Sequence, residues 1–195
     1  MAMTLGEAYK KGIIKKGDYI KYIPRYRNYC LSKSETGWDS SQYLKTEKFN
    51  YQFMGVTDNY AILVADGVTE KIGLRGKTGY ENGIHALERF LHHCYSSEKL
   101  NAIGFLLTES HWKMFARELE KCIIMFWLGT TGTSDYSNGT NFGIFEVCDD
   151  FVRLKVLHSS SGNDGSHSVG VRPAILMSTD NKIDEKDIIK VFKID

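Results

Sequence analysis

The stretch that determines the fold is Val169-Gly170-Val171-Arg172-Pro173-Ala174-Ile175-Leu176-Met177, an apolar run that an Arg-Pro pair interrupts once. Because it follows a loop of small polar residues at 159–168, this run predicts a buried strand. Pro173 has no N–H to donate to a strand ladder, so we expect it at a sheet edge or at a bulge. A buried Arg172 would need a carboxylate or several carbonyl groups to offset its desolvation. Both residues are therefore predicted to belong to the structural core, without a catalytic role.

The composition is that of an ordinary globular protein with one domain, which we expect to span residues 1–195. The chain has 25 Lys and Arg residues against 24 Asp and Glu residues, so its net charge gives no reason to expect a nucleic acid or an anionic membrane as a partner. No apolar run approaches the length of a membrane span. Residues 1–7 lack the basic-then-apolar pattern of a signal peptide, so we expect synthesis in a reducing cytoplasm.

In the first half, short-range patterns predict one short helix and three strands. Thr4 and Glu7 have the spacing of a capping box, which predicts a helix that reaches about Lys11. Strands are predicted over 18–23, before Pro24, and over 51–56 and 60–65, with a turn at 57–59. Residues 25–48 have no clean period and are expected to form an ordered surface loop.

Two further helices are predicted from apolar positions three and four residues apart. The first opens at a capping box of Thr78 and Glu81. Its apolar stripe is Tyr80, Ile84, Leu87, Leu91 and Cys94, and its polar face is Glu81, His85, Glu88, Arg89 and His92. The second begins near Thr108, with the stripe Trp112, Phe115, Leu119 and Cys122.

The second half predicts strands. Residues 123–128 and 142–148 are apolar runs, and residues 151–157 alternate between apolar and polar side chains around an expected turn at Asp149-Asp150. The tail, residues 183–195, fits either a strand or a helix. The resulting prediction is an α+β fold with two to three helices packed on antiparallel sheets, the helices in the first half and an antiparallel meander in the second.

The histidines and cysteines give no strong candidate for chemistry. His85, His92 and His93 would point to different sides of a helix, and no carboxylate or cysteine pair completes a tetrahedral set, so no metal is expected. Cys94 lies on the apolar stripe, where a thiol is buried and inert. Free thiols are the simpler interpretation of the cysteines, and a disulfide formed after release from a cell is the alternative. The four cysteines are Cys30, Cys94, Cys122 and Cys148.

Two long polar loops, residues 130–141 and 159–168, are rich in Ser, Gly and Asn, and the first also contains Tyr136. These residues combine aromatic area with small hydrogen-bonding groups, as adaptable binding loops do. The loops are either exposed connections or a binding face that needs no catalyst. Under the second hypothesis, the candidate ligand-binding residues are Trp38, Tyr136, Asn138, Asn141, Asn163, Asp164 and His167.

Several short segments occur in an order that resembles a domain family common in Gram-positive bacteria and in their phages and prophages. The segments are Gly17–Pro24, Gly79–Gly83, Leu107-Thr108 before Trp112, Phe126–Thr130 and Gly170–Pro173. That family looks like the C-type-lectin-like fold shared with sulfatase-modifying enzymes and phage variable receptor-binding proteins. The resemblance covers about Leu5 to Met177 and implies that Trp127-Leu128 and Gly170–Pro173 are the two halves of the core sheet.

The chain departs from the functional motifs of both relatives. Calcium-dependent lectins carry a Glu-Pro-Asn or Gln-Pro-Asp triplet and a Trp-Asn-Asp motif, and neither occurs here. Formylglycine-generating enzymes need a pair of active cysteines, and Cys122 and Cys148 lack that local sequence. We therefore expect no cofactor, neither calcium-bridged sugar binding nor oxidase chemistry, and a scaffold that acts through its loops.

The resemblance implies a non-enzymatic structural protein of a phage or prophage virion, assembled in the bacterial cytoplasm. It would decorate the capsid or belong to the tail or baseplate, contact other virion proteins or further copies of itself, and present its loops to a host-surface glycan or protein. Two alternatives stay open. One is a sulfatase-modifying-type oxidoreductase that uses Cys122 or Cys148. The other is a cytoplasmic small-molecule binder with an aromatic pocket near Trp38 and Trp127.

Overall fold

The computed structural model describes residues 3–25, 28–74, 76–115, 126–129, 141–148, 151–158 and 170–189. At residues 76–81, 109, 112, 113, 127, 141–148, 151–158 and 189 the description covers the backbone alone. The fold is mixed α+β, with mostly antiparallel sheets and few helices, as the sequence predicts.

In chain order, the elements are β1 (Met3–Thr4), α1 (Leu5–Lys10), β2 (Tyr19–Lys21), β3 (Asn28–Leu31), α2 (Lys33–Thr36), β4 (Gln42–Lys45), β5 (Asn50–Thr57), β6 (Tyr60–Ala65), α3 (Gly76–Tyr95), β7 (Ala102–Leu106), α4 (Glu109–Phe115), β8 (Phe126–Trp127), β9 (Asn141–Cys148), β10 (Phe151–His158), β11 (Pro173–Ser178), β12 (Lys182–Ile183), a 3-10 turn (Glu185–Asp187) and β13 (Ile188–Ile189).

The largest sheet has six strands in the order β13-β2-β5-β6-β11-β7, and its neighbours pair antiparallel. A strand from the C-terminal part, β11, thus separates β6 from β7. The antiparallel meander predicted for the second half is present as a separate three-stranded sheet, β8-β9-β10, but β11 joins the main sheet instead of extending the meander. The physical reason is that Ala174, Ile175 and Met177 are all buried, so β11 is apolar on both faces, and such a strand is stable only in the interior of a sheet.

The hairpin of β5 and β6 confirms the predicted pair of strands and the turn between them. Asp58 has a positive φ of 51° in this turn, a conformation that Asp tolerates better than most residues. The pairing shifts between Phe53 and Gly55, which marks a β-bulge, and Gly55 has a φ of 118° there. Glycine is the residue that adopts this backbone without strain.

Both capping-box predictions can be compared with helix starts. At α1 the prediction is confirmed: the Thr4 N–H donates to Glu7 Oε2 at 2.9 Å and the Glu7 N–H donates to Thr4 Oγ1 at 3.1 Å. At α3 it is wrong, because the helix already begins at Gly76 and Thr78 lies inside it. Periodicity places a helix well but leaves its first residues undecided.

The predicted faces of α3 are confirmed along its described side chains. The apolar positions Ile84, Leu87, Phe90, Leu91 and Cys94 are buried. The predicted polar positions are exposed, and they are His85, Glu88, Arg89 and His92. This helix packs on β7, a strand that the sequence analysis did not predict.

Residues 25–48 are not one surface loop, contrary to the prediction. Within them, β3 and β4 pair antiparallel from Asn28 with Lys45 to Leu31 with Gln42, and α2 lies between the two strands. The sequence gives no clean period here because each element is only four residues long, less than one full repeat of an amphipathic helix pattern.

The later elements agree with the predictions wherever residues are described. Helix α4 follows Thr108, strands β9 and β10 pair from Cys148 with Phe151 to Asn141 with His158, and β8 pairs with β9. The turn expected at Asp149-Asp150 and residues 116–125 lie outside the described part of the chain. In the tail, β12 pairs with β1 and β13 pairs with β2, and the 3-10 turn Glu185–Asp187 connects the two strands.

Candidate functional site

Two of the five segments that carry the family resemblance, Phe126–Gly129 and Gly170–Pro173, contact each other. They are not two halves of one sheet, because β8 belongs to the three-stranded sheet with β9 and β10 and β11 belongs to the six-stranded sheet. Gly170 forms an isolated parallel bridge with Phe126. Arg172 is 1% exposed, donates from Nε to the Ala65 carbonyl oxygen at 2.8 Å, and holds its guanidinium carbon 5.5 Å from the centre of the Phe126 ring. The Ala65 carbonyl is thus one partner of the buried arginine, where the sequence predicts a carboxylate or several carbonyls, and a cation–π contact with Phe126 adds to it.

Pro173 is not at a sheet edge or at a bulge, contrary to expectation. It is the first residue of the interior strand β11, opposite Leu106 of β7, and the pairing of β11 with β6 begins only at Ala174. The first position of a strand tolerates a residue without an N–H because the ladder has not yet begun on that side.

Most of the predicted loop site lies outside the described residues. Five of the candidate residues are not described, so their grouping into one binding face stays a prediction. They are Tyr136, Asn138, Asn163, Asp164 and His167. For the two flanking residues, the backbone alone is described. Asn141 is the first residue of β9 and Trp127 is the last residue of β8.

Trp38 is described and lies beside α2. It follows Gly37, which ends α2 in the left-handed conformation with a φ of 73°, and the Trp38 N–H donates to Thr36 Oγ1 at 3.4 Å. The side chain is partly buried. Trp38 is not among the described residues that line the groove between β3 and α3.

A groove runs along the exposed side of α3, which we call the α3 groove. Its first part has a volume of about 590 Å³ and lies between β3 and α3. Its second part, about 330 Å³, shares His92 and His93 with the first and lies at the C-terminal end of α3. The first part is lined by Tyr29, His85, Glu88, Arg89, His92 and His93, and the second adds Arg25, Ser96, Ser97, Glu98, Asn101, Ala102 and Ile103.

The wall of the α3 groove is held in place by a network between α2, β3 and α3. Glu35 Oε1 accepts a hydrogen bond from Arg89 Nη2, and Glu35 Oε2 accepts from the Ser32 N–H at 2.7 Å and from Ser32 Oγ at 2.8 Å. Burial raises the pKa of Glu35, but the hydrogen bonds from Ser32 and Arg89 outweigh it and lower the pKa overall. Hydrogen bonds to Tyr29 and Glu35 raise the pKa of Arg89. This network fixes the Arg89 guanidinium before any ligand arrives.

Two further contacts complete this wall. The Tyr29 ring packs on Phe90 with a distance of 5.5 Å between ring centres, and Asn82 Nδ2 donates to the Ser34 carbonyl at 3.3 Å. In the groove itself, His85 Nδ1 lies 3.3 Å from Glu88 Oε2. From the sequence, these histidines were candidates only for a metal site, and the groove that they line was not predicted. The reason is that the opposite wall, β3 and α2, was expected to be a loop.

The described residues include no group of three or more His, Cys, Asp and Glu side chains that could hold a metal ion. Cys94 is fully buried, as its place on the apolar stripe predicts, and Cys30 is exposed on β3. Cys122 lies outside the described ranges, and Cys148 is the last residue of β9, with only its backbone described.

No family model, curated protein or solved structure matched the chain. The resemblance to the C-type-lectin-like family therefore stays a prediction. None of the helices in the described ranges is both long enough and apolar enough to cross a membrane.

Proposed function

We propose that this chain is a non-enzymatic, C-type-lectin-like structural module of a phage or prophage virion. One observation carries the proposal: the two segments that resemble the family, Phe126–Gly129 and Gly170–Pro173, contact each other through the Phe126–Gly170 bridge and through Arg172 above the Phe126 ring. The resemblance implies that these two segments are the two halves of one core sheet. Strands β8 and β11 lie in different sheets, so the support for the proposal comes from the direct contact between the two segments at Phe126. Fold alone does not fix function, so the virion role rests on the analogy with the family.

In this role the module decorates the capsid or belongs to the tail or baseplate, and its partners are other virion proteins or further copies of itself. Its polar surfaces present hydrogen-bonding side chains to a host-surface glycan or protein. The composition of the loops at 130–141 and 159–168 supports this role, because Ser, Gly and Asn provide adaptable hydrogen bonds and Tyr136 provides aromatic contact area.

The test is mass spectrometry of purified particles released from an induced lysogen or an infected culture of the source. We expect the chain in stoichiometric ratio to the major particle proteins, and it should stay with the particles through a density gradient. The soluble cell fraction from the same culture is the control. A chain found only in that fraction contradicts the proposal.

A second candidate is a cytoplasmic small-molecule binder, and the α3 groove is the observation that favours it. Its first part, about 590 Å³, falls within the range of roughly 300–1,000 Å³ that is usual for small-molecule sites. A soluble, particle-free protein that binds a small metabolite would establish this candidate instead.

A further inference from the structure

We propose that the α3 groove is a binding site for a short, uncharged oligosaccharide. This inference deepens the proposed function by naming a ligand class and a site, and it rests on that function only for the existence of a host-surface ligand. The described residues that line the site lie on β3, on α3 and in the segment that follows α3.

The pattern of hydrogen-bonding groups is the first argument. Along the exposed side of α3, the donor Arg89 lies next to the acceptor Glu88, and the imidazoles of His85 and His92 flank them at helical spacing. An imidazole donates and accepts at once. A sugar hydroxyl also donates and accepts, so a row of alternating donors and acceptors suits a ligand with many hydroxyl groups.

The aromatic wall is the second argument. Tyr29 is partly buried and lines the groove opposite α3. Its ring is held against Phe90, with 5.5 Å between the ring centres. A fixed aromatic ring offers apolar contact area at a low entropy cost, and it can pack against the C–H face of a pyranose.

The balance of charge is the third argument, and it decides against an anionic ligand. The charged side chains that line the two parts of the groove are two arginines and two glutamates: Arg25, Arg89, Glu88 and Glu98. Arg89 is in addition paired with Glu35. The two arginines do not outnumber the two glutamates, so an anionic ligand would be repelled by the glutamates without a compensating excess of positive charge. An uncharged ligand is not repelled in this way.

A peptide is a weaker fit to the same surface. Peptide ligands usually add a strand to an open sheet edge or insert side chains into apolar pockets. The α3 groove presents instead a helix face of polar side chains, with Ala102 and Ile103 as the only aliphatic lining residues in its two described parts. A peptide is therefore an outcome to be tested rather than the expected ligand.

The experiment uses the full chain and four probes: maltotriose and chitotriose as uncharged trisaccharides, trigalacturonate as a charged one, and trialanine as a peptide. Binding is measured by calorimetry and by amide chemical-shift mapping at about pH 7.5, where histidine is ordinarily neutral. We expect at least one uncharged trisaccharide to bind saturably, with the largest shifts at Tyr29, Glu88 and His92. Trigalacturonate and trialanine should bind more weakly.

The variants Glu88→Ala and His92→Ala each remove a hydrogen-bonding group from an exposed helix position, so the fold should be retained. Each should weaken binding roughly tenfold, the loss that one or two hydrogen bonds would produce. Lys10→Ala, an exposed change on α1 outside the groove, is the matched control and should leave the affinity unchanged. Circular dichroism and thermal unfolding check that each variant is folded.

Three results would overturn the inference: no saturable binding of either uncharged trisaccharide, tighter binding of trigalacturonate or trialanine, or binding that the two groove variants leave intact. The test is independent of where the protein resides. If the chain is present in particles but binds no trisaccharide, only the proposed oligosaccharide site is contradicted. If the chain is absent from particles but binds maltotriose, only the proposed virion role is contradicted.

Discussion

Arg172 is a charged residue in the middle of the protein, and its surroundings determine whether it stabilises the fold. It is 1% exposed, its Nε donates to the Ala65 carbonyl, and its guanidinium lies over the Phe126 ring. The preceding residue, Val171, makes two hydrogen bonds with Thr69. The Val171 N–H donates to Thr69 Oγ1 at 3.1 Å, and the Thr69 N–H donates to the Val171 carbonyl oxygen at 2.9 Å. Arg172 thus contacts both Ala65, the last residue of β6, and Phe126, the first residue of β8.

Replacing Arg172 with alanine should lower the free energy of unfolding by about 3–5 kcal/mol, because it leaves the Ala65 carbonyl without this donor and opens a cavity beside Phe126. Arg172→Met fills most of the volume and should cost less. Urea unfolding followed by tryptophan fluorescence measures both. Equal losses for the two variants would show that the lost hydrogen bond and cation–π contact, which both variants remove, set the cost and that the cavity adds little.

At the start of α4, His111 occupies the position that a glutamate holds in a capping box, three residues after Thr108. Its Nδ1 lies 3.1 Å from the Thr108 N–H, its own N–H donates to Thr108 Oγ1 at 3.3 Å, and its ring packs between Phe105 and Phe115 at 5.1 and 6.3 Å between ring centres. Burial lowers the pKa of His111. The folded protein therefore favours the neutral ring, whose Nδ1 can accept the hydrogen bond.

The stabilisation from His111 should be fully present above pH ~6.5, the ordinary pKa of histidine, and should be lost as the pH falls through the lowered pKa of the folded state. The variant His111→Gln keeps an acceptor at this position at every pH. Between about pH 7.5 and pH 5.5 the wild type should therefore lose stability relative to His111→Gln. Parallel pH profiles of the two free energies of unfolding would contradict this assignment.

At the scale of elements, the contact between β7 and α3 depends on one glycine. A Cβ built on Gly104 would collide with the Leu91 carbonyl oxygen and would lie 2.7 Å from Tyr95 Cβ. The Gly104 N–H also donates to Ser96 Oγ at 3.0 Å, which ties the strand to the end of the helix. Since backbone atoms cannot move aside as a flexible side chain can, the helix must shift if this position gains a side chain.

Gly104→Ala should therefore destabilise the protein by about 3 kcal/mol or more, the upper end for an overpacked site. The matched control is Gly12→Ala, where φ is 69° and no atom lies within 4 Å of the added Cβ. Only backbone strain acts there, and it should cost about 1–2 kcal/mol. Chemical denaturation compares the two. A larger loss for Gly12→Ala would mean that α3 can retreat from β7 without penalty.

The same elements show how far sequence patterns reach. The α1 cap, the β5–β6 hairpin and the faces of α3 follow from contacts within a few residues, so periodicity and capping predict them. Strand β7 was not predicted because Gly104 lowers the strand propensity of this segment. The glycine is required by the close approach of the Leu91 backbone, a contact between distant residues that no local pattern contains. The α3 groove was missed for a related reason, since it needs β3 and α2 placed beside α3.

At the scale of the whole molecule, the main sheet interleaves distant parts of the chain. Strand β11 lies between β6 and β7, β13 pairs with β2, and β12 pairs with β1. Neither half of the chain can complete this sheet by itself, because the strands at 173–178 and 188–189 close it against strands from the first half. We expect such an arrangement to unfold in one cooperative step.

Cysteine labelling tests this cooperativity, because Cys30 is exposed and Cys94 is fully buried on the inner side of α3. In native buffer, Cys30 should react at the rate of a free exposed thiol, and Cys94 should be protected. With increasing urea, labelling of Cys94 should follow the same midpoint and slope as fluorescence, since α3 has to leave the sheet before its thiol is reached. Peptide mapping by mass spectrometry reads each cysteine separately.

Two departures from that pattern would be decisive. If Cys94 reacts with a weaker dependence on urea than the fluorescence change, α3 opens locally and the sheet is not one cooperative unit. If Cys122 or Cys148 reacts faster than Cys30, that cysteine is activated, because Cys30 is already exposed to the reagent and exposure alone cannot explain a faster reaction. That result would favour the oxidoreductase hypothesis over the virion module, so Cys30 serves as the internal reference for both questions.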